Sequence, residues 1–323
     1  MNFTDDSKQC RHPGLFDTAL VLLSVLAVYP IAGSLLTVLV TGGVSLGEGF
    51  RGLTGPVVSK LLAAQALGQI AVLALPVFWL VSRFSGGGLF GRATLGWLGI
   101  GKQGGVRLAL MAGAGMLLLQ PALYSIVELQ TLLLPYLGTL GKTLASEQAV
   151  LDQFIRILAG DASIGGSILS ALVLVLTPAF CEELFFRGYI QKSLAVNLDP
   201  RRAVLFTGVV FALFHMEWFN FAPLTLLGWY IGYIYLKSDN LLVPAIAHGT
   251  NNLAALVLLK TGVDSGGGAT DAASGVVGYW PWWVLVAVSL FLFFLLIRSF
   301  PVRPALQDAD NPMPRGASLK SHS

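Results

Sequence analysis

Charge is scarce in this chain of 323 residues: Asp, Glu, Lys and Arg make up 11% of it against 55% hydrophobic residues, and mean hydropathy is +0.73. A soluble domain carries about 25–35% charged residues over its surface, so that class is excluded. A net charge of +3 provides no basic footprint for nucleic acid. Cysteine is confined to Cys10, in a polar N-terminal segment, and Cys181, inside an apolar run. That placement excludes a disulfide framework and any cysteine-based zinc spacing. H-E-x-x-H, a frequent helical signature of zinc hydrolases, is missing, and no fixed-period repeat stands out.

What the chain has in abundance is apolar sequence of membrane-crossing length. A helical span needs about 20 predominantly apolar residues. Stretches of this kind lie near 15–41, 59–82, 107–127, 165–190, 202–218, 223–237, 241–260 and 279–298. The fold class expected is therefore all-α, a polytopic membrane bundle of about eight transmembrane helices. Residues 1–14 form a polar N-terminal segment. Residues 15–164 hold spans 1–3 and an outer loop, residues 165–298 hold spans 4–8, and residues 299–323 read as a disordered cytoplasmic tail rich in polar residues and proline. The first apolar run is too long for a signal-peptide core and is expected to remain as a span. The loop around 128–164 has the length for an amphipathic helix. Gly86–Gly88 and Gly266–Gly268 read as flexible loops.

Basic residues are unevenly divided. With the N-terminus inside, Lys8, Arg11, Arg83, Arg92, Lys102, Arg107, Lys192, Arg201, Arg202, Lys237, Arg298, Arg303, Arg315 and Lys320 fall on or beside cytoplasmic segments. Arg51, Lys60, Lys142, Arg156 and Lys260 fall on or beside outer ones. The positive-inside rule then places both termini in the cytoplasm.

Against this background three polar clusters stand out: Glu182, Glu183 and Arg187 in P-A-F-C-E-E-L-F-F-R-G, His215 in F-A-L-F-H, and His248 with Asn252 in H-G-T-N-N. Charged groups at membrane depth cost about 2.5–3.5 kcal/mol on insertion scales, so they face a bundle interior and mark function. Glu183 and Arg187 are one helical turn apart and can pair, while Glu182 points about 100° away and stays available for chemistry. Pro178 deprives the Leu174 carbonyl of its helical donor, so a kink or widening is expected beside Glu182.

If span 4 runs on to about Leu198, Glu182 and His215 lie at similar depth, some 20–24 Å from the Asp199–Pro200 turn. A carboxylate beside an imidazole can deprotonate water. A second imidazole and a carboxamide, His248 and Asn252, can stabilise an oxyanion. The cavity is expected to open toward the cytoplasm. Phe211, Tyr189, Trp229, Tyr230 and Tyr233 read as packing or belt residues, Glu217, Trp218 and Asn220 as interfacial anchors, and Asn251 as pointing away from Asn252.

The three clusters resemble, in order and spacing, the motifs E-E-x-x-x-R, F-x-x-x-H and H-x-x-x-N of the CPBP family, which holds CAAX prenyl proteases of the Rce1 type and bacterial Abi proteins. The resemblance covers residues 165–260. It implies an intramembrane endopeptidase with catalysis on Glu182 and His215, oxyanion support from His248 and Asn252, and a site supported by Glu183, Arg187 and Phe211. It implies a membrane-associated protein or peptide as substrate and a bacterial inner membrane as location. Members have been described as metalloproteases. Here a glutamate, two histidines and an asparagine make a poor zinc set, so no cofactor is favoured, with a divalent metal such as zinc as the competing expectation. Competing functions are a proton-coupled transporter and a non-catalytic immunity or scaffold protein.

Overall fold

A computed structural model describes residues 13–42, 53–102, 105–160, 163–261 and 276–301. The expectations for the polar N-terminal segment up to His12, Gly266–Gly268 and the tail from Val302 onward lie outside these residues. Ten α-helices follow one another without strands among the described residues: α1 (Leu15–Thr41), α2 (Gly55–Ser85), α3 (Arg92–Leu98), α4 (Gly105–Leu133), α5 (Gly138–Ala159), α6 (Ile164–Asn197), α7 (Pro200–Phe214), α8 (Phe221–Ser238), α9 (Leu242–Thr261) and α10 (Trp280–Ser299).

This is an all-α polytopic bundle, and the protein is an integral membrane protein. Each of the eight anticipated spans coincides with a helix, but only six runs are long and apolar enough to cross a membrane by length and composition: α1, α2, α4 continuing into α5, α6, α9 and α10. The fifth and sixth anticipated spans fall short. Helix α7 has 15 residues, a rise of about 22 Å against a hydrocarbon core of about 30 Å. Both α7 and α8 spend much of their surface on protein neighbours.

Helix α6 is the axis of the bundle. From Leu184 to Ile190 its side chains are no more than 1% exposed, including one guanidinium. A helix apolar on nearly every face belongs in the middle, and α6 is enclosed by α1, α2, α7, α8 and α9. By contrast α1 and α10 show Leu23, Leu39 and Phe291 outward, each more than 60% exposed, as lipid-facing helices do. Helices α7 and α8 approach most closely at two glycines, where a Cβ on Gly228 would lie 2.9 Å from Gly208 Cα. Only small residues allow such a crossing.

The bundle has two distinct ends. At one, Asp239 receives Lys102 and, at 3.1 Å, Lys192. The amide nitrogen of Asn240 also reaches Lys102 O at 2.8 Å, and Asn197 Nδ2 donates to Pro13 O at 3.3 Å. This end gathers the start of α1, the ends of α2, α6 and α8, the start of α7 and α9, and all of α3. At the other end, the anticipated amphipathic helix is α5. Its apolar face carries Phe154, Ile157 and Leu158 against Val58, Leu61 and Leu62 of α2. The same end holds the turn 215–220, tied to α4 by Gln130 Nε2 donating to Phe219 O at 3.0 Å.

Candidate active site

The widening expected near Pro178 is present as a π-helical turn over Leu172–Leu176, with Thr177 Oγ1 donating to Leu172 O at 2.8 Å. Pro178 lacks the N–H that an α-helix needs at that position, and the wider turn absorbs the defect. Helix α2 repeats the arrangement, with a π turn at Ile70–Ala74 preceding Pro76 at the same offset. That turn packs against Thr177–Glu183. A second π segment in α6, Leu184–Gln191, begins immediately after the paired glutamates. Glu182 and Glu183 therefore sit on a short α-helical stretch between two wide turns, a geometry that recurs at functional sites.

The adjacent glutamates have separate surroundings. Glu183 is wholly buried, and its Oε1 accepts from Arg187 Nη1 at 3.0 Å and from His248 Nδ1 at 2.8 Å. Arg187 also donates through Nη2 to Gly228 O at 3.0 Å, so α6, α8 and α9 meet at one guanidinium–carboxylate–imidazole knot. Phe211 is fully buried, with its ring centroid 4.7 Å from the Arg187 guanidinium carbon, 4.6 Å from the His215 ring and 5.7 Å from the His248 ring. It places an aromatic face where a buried cation gains from it and holds both imidazoles apart.

Glu182 is 6% exposed, and its Oε2 has no hydrogen-bond partner among the described residues. Oε2 lies 3.7 Å from His215 Nε2. His215 Nδ1 pairs with Phe211 O at 2.8 Å. A carbonyl can only accept, so Nδ1 carries a proton, and in the neutral ring Nε2 is left as an acceptor. Two acceptors do not bond each other directly. A water molecule about 2.8 Å from each atom could donate one hydrogen to Glu182 and one to His215, leaving a lone pair for attack.

His248 obeys the same logic. Its Nδ1 donates to an ionised carboxylate, so Nε2 can donate to an oxyanion only when the ring carries both protons. Asn252 lies one turn further along α9. Its Oδ1 accepts from Asn251 Nδ2 at 3.2 Å, and Gln120 Nε2 of α4 donates to Asn251 Oδ1 at 3.0 Å. The chain Gln120–Asn251–Asn252 leaves Asn252 Nδ2 as a donor and gives a positioning part to Asn251, which sequence reading held as a weak candidate. Among the described residues no three His, Cys, Asp or Glu side chains are grouped to hold a metal ion. Glu183 Oε1 accepts from Arg187, and the His248 nitrogen facing it bears a proton.

The sequence clusters all lie in spans 4, 5 and 7, yet the first spans supply polar groups near the site. Tyr29 of α1 packs its ring 4.8 Å from that of Phe214 and lies within electrostatic reach of Glu182, beside the Gln69 carboxamide. Gln69 is 2% exposed, and its Oε1 is without a partner among the described residues. Tyrosine and glutamine inside apolar runs were the available signal.

A pocket lined by His215 has a volume of about 330 Å³ and lies between Leu144, Glu147, Gln148 and Leu151 of α5 and the segment Met216–Phe219. It is at the end of α7 opposite the Asp199–Pro200 turn. His215 caps the C-terminal end of α7, so its solvent side faces away from where the helix begins.

The stretch of sequence that carries the three motifs is matched in a comparison with known families. Residues 164–254 match the family described as type II CAAX prenyl endopeptidase Rce1-like. This Rce1-like segment contains every motif residue and covers α6 to the middle of α9. A similar curated protein is the UPF0177 protein YxdF of Lactococcus lactis subsp. lactis (strain IL1403), 36% identical over 85 residues. The aligned part is 25% of this chain and 46% of that protein, so the chain spans under half the length of this relative. No solved structure matches the chain.

Proposed function

We propose that the protein is an intramembrane endopeptidase that hydrolyses a peptide bond of a membrane-associated protein or peptide, with Glu182 and His215 activating water. The observation that carries this reading is the 3.7 Å approach of His215 Nε2 to an otherwise unpartnered carboxylate oxygen in the bundle interior. A buried carboxylate oxygen without a hydrogen bond is costly, and its place beside an imidazole is what a general base requires. The Rce1-like match over these same helices supports the same class of reaction.

In this mechanism Glu182 takes one proton of the bound water as its oxygen attacks the carbonyl carbon. Before the step, two carboxylates are balanced by the Arg187 guanidinium and the doubly protonated His248 that the donor role requires. Transfer of the proton to Glu182 neutralises one carboxylate while the new negative charge appears on the substrate oxygen. His248 Nε2 and Asn252 Nδ2 are the donors for that oxyanion, held in place by Glu183 and Asn251. The proton on Glu182 then passes to the departing amine. The mechanism is metal-free, and the membrane is proposed to be a bacterial inner membrane with both termini of the chain in the cytoplasm.

The test is cleavage by purified protein and by membranes whose proteome is compared with that of Glu182→Ala cells. Loss of cleavage in Glu182→Ala and His215→Ala, with normal membrane insertion, is expected. Unchanged products from both variants would reject the mechanism. Full activity of Glu182→Gln, which keeps shape and hydrogen bonding, would instead favour the scaffold reading.

A further inference from the structure

The pocket beside His215 and a group of six basic residues occupy opposite ends of the bundle, while Lys142 and Arg156 of α5 lie on the pocket's side. Arg83, Arg92, Lys102, Lys192, Arg201 and Lys237 lie at the end where Asp239 clasps its lysines, a charge distribution that marks the cytoplasmic side. The pocket lies at the other end, beneath the amphipathic helix α5. Its volume of about 330 Å³ falls in the range of ligand sites. It is lined by the carboxylates Glu147 and Glu217 and by no lysine or arginine. The turn that forms its inner wall is specially shaped. Met216 adopts φ +53°, uncommon for a residue with a Cβ, and Asn220 Nδ2 is within reach of both Gln148 Oε1 at 3.3 Å and Glu217 Oε2 at 3.0 Å. Behind this wall stands Glu182 Oε2, buried and without a hydrogen bond.

From these placements we infer that the cleft between α5 and residues 215–219 is the substrate entrance, that it faces the non-cytoplasmic side, and that it admits an extended, neutral or basic peptide segment in preference to an acidic one. The inference rests on the hydrolytic reading above for the fate of the peptide, but not for the side from which it comes. Two carboxylates at the mouth repel an acidic segment and attract a basic one. The Asn220 contacts join α5 to the turn that begins at His215, so the entrance and the chemistry share one wall.

Two measurements test it. In a Cys10→Ser background, Glu147→Cys and Arg92→Cys are exposed to a membrane-impermeant maleimide on intact cells, then again after permeabilisation, when both must label. Labelling of position 147 from outside, with position 92 labelled only after permeabilisation, is expected. The reverse pattern overturns the assignment whether or not the protein cleaves anything. In detergent, a peptide that is cleaved is then compared in versions carrying Lys or Glu beside the scissile bond. The Lys version should be cut at least 5-fold more efficiently in kcat/KM, an order-of-magnitude expectation for charge discrimination near a surface. Glu147→Gln/Glu217→Gln should bring the ratio close to one. An unchanged ratio in that variant refutes the role of the two carboxylates, whereas absence of any cleavage in the natural chain counts against the hydrolytic reading and leaves the labelling result standing.

Discussion

Neighbouring glutamates with identical chemistry should respond to the same substitution in opposite ways. Glu183→Gln removes the only carboxylate among the described residues that is bonded to Arg187, which is 0% exposed and keeps, among them, the Gly228 carbonyl at 3.0 Å. Removing one member of a buried ion pair costs about 3–5 kcal/mol because the other charge is stranded. The bond from His248 Nδ1 at 2.8 Å weakens as well, so the upper part of that range is expected. Glu182→Gln deletes a charge that has no direct hydrogen bond on Oε2. It should leave stability within about 1 kcal/mol of the natural chain or raise it, since a desolvation cost disappears and no bonded partner is stranded. The assay is unfolding in mild detergent, by denaturant or by heat. Both variants should lose hydrolysis. A double variant, Glu183→Gln with Arg187→Met, should recover most of the loss, and the cycle built from it isolates the coupling energy. Equal destabilisation by Glu182→Gln and Glu183→Gln would refute the division of labour drawn from the contacts.

Other outcomes follow from the packing. Gly228→Ala drives a methyl group into Gly208 Cα at 2.9 Å and should cost about 1–3 kcal/mol in overpacking, lowering activity through the Gly228 carbonyl that Arg187 uses; stability and kcat measured together will show both. Phe211→Ala opens a cavity between Arg187 and both imidazoles and should destabilise by about 3–5 kcal/mol, read by the same unfolding assay, whereas Phe211→Leu should retain folding with reduced kcat. Metal analysis of the active, purified protein should find no stoichiometric zinc, and chelation should leave turnover unchanged; bound metal whose removal stops turnover would overturn the water-activation scheme.

Much of the architecture is written in local sequence. Eight apolar runs map onto helices because run length is a local property, and α5 was legible as an amphipathic stretch within a long connection. The Glu183–Arg187 pair is a matter of helical pitch and is found as anticipated at 3.0 Å. Glu182 and His215 could be matched in depth because α6 and α7 form a hairpin with a short turn, which reduces the question to counting residues.

What could not be read depended on helices distant in sequence. That His248 binds Glu183 through Nδ1 depends on how α9 rotates against α6, and no spacing within either helix encodes this. The contributions of Tyr29, Gln69 and Gln120 require α1, α2 and α4 to be packed first. The pocket beside His215 was likewise out of reach, because it forms between the end of α7 and α5, which are distant in sequence.

The wide turn at Leu172–Leu176 has a consequence for comparing related chains. It holds one residue more than an α-helical turn within about the same sweep, so deleting a single residue there would let the helix close to ordinary pitch and leave its first segment on its present face relative to the glutamates. Ser170, whose Oγ reaches Leu158 O of α5 at 3.4 Å, would stay against that helix. What such a deletion removes is the accommodation of Pro178, whose missing N–H the wide turn absorbs. The extra residue and the proline should therefore come and go together in related chains.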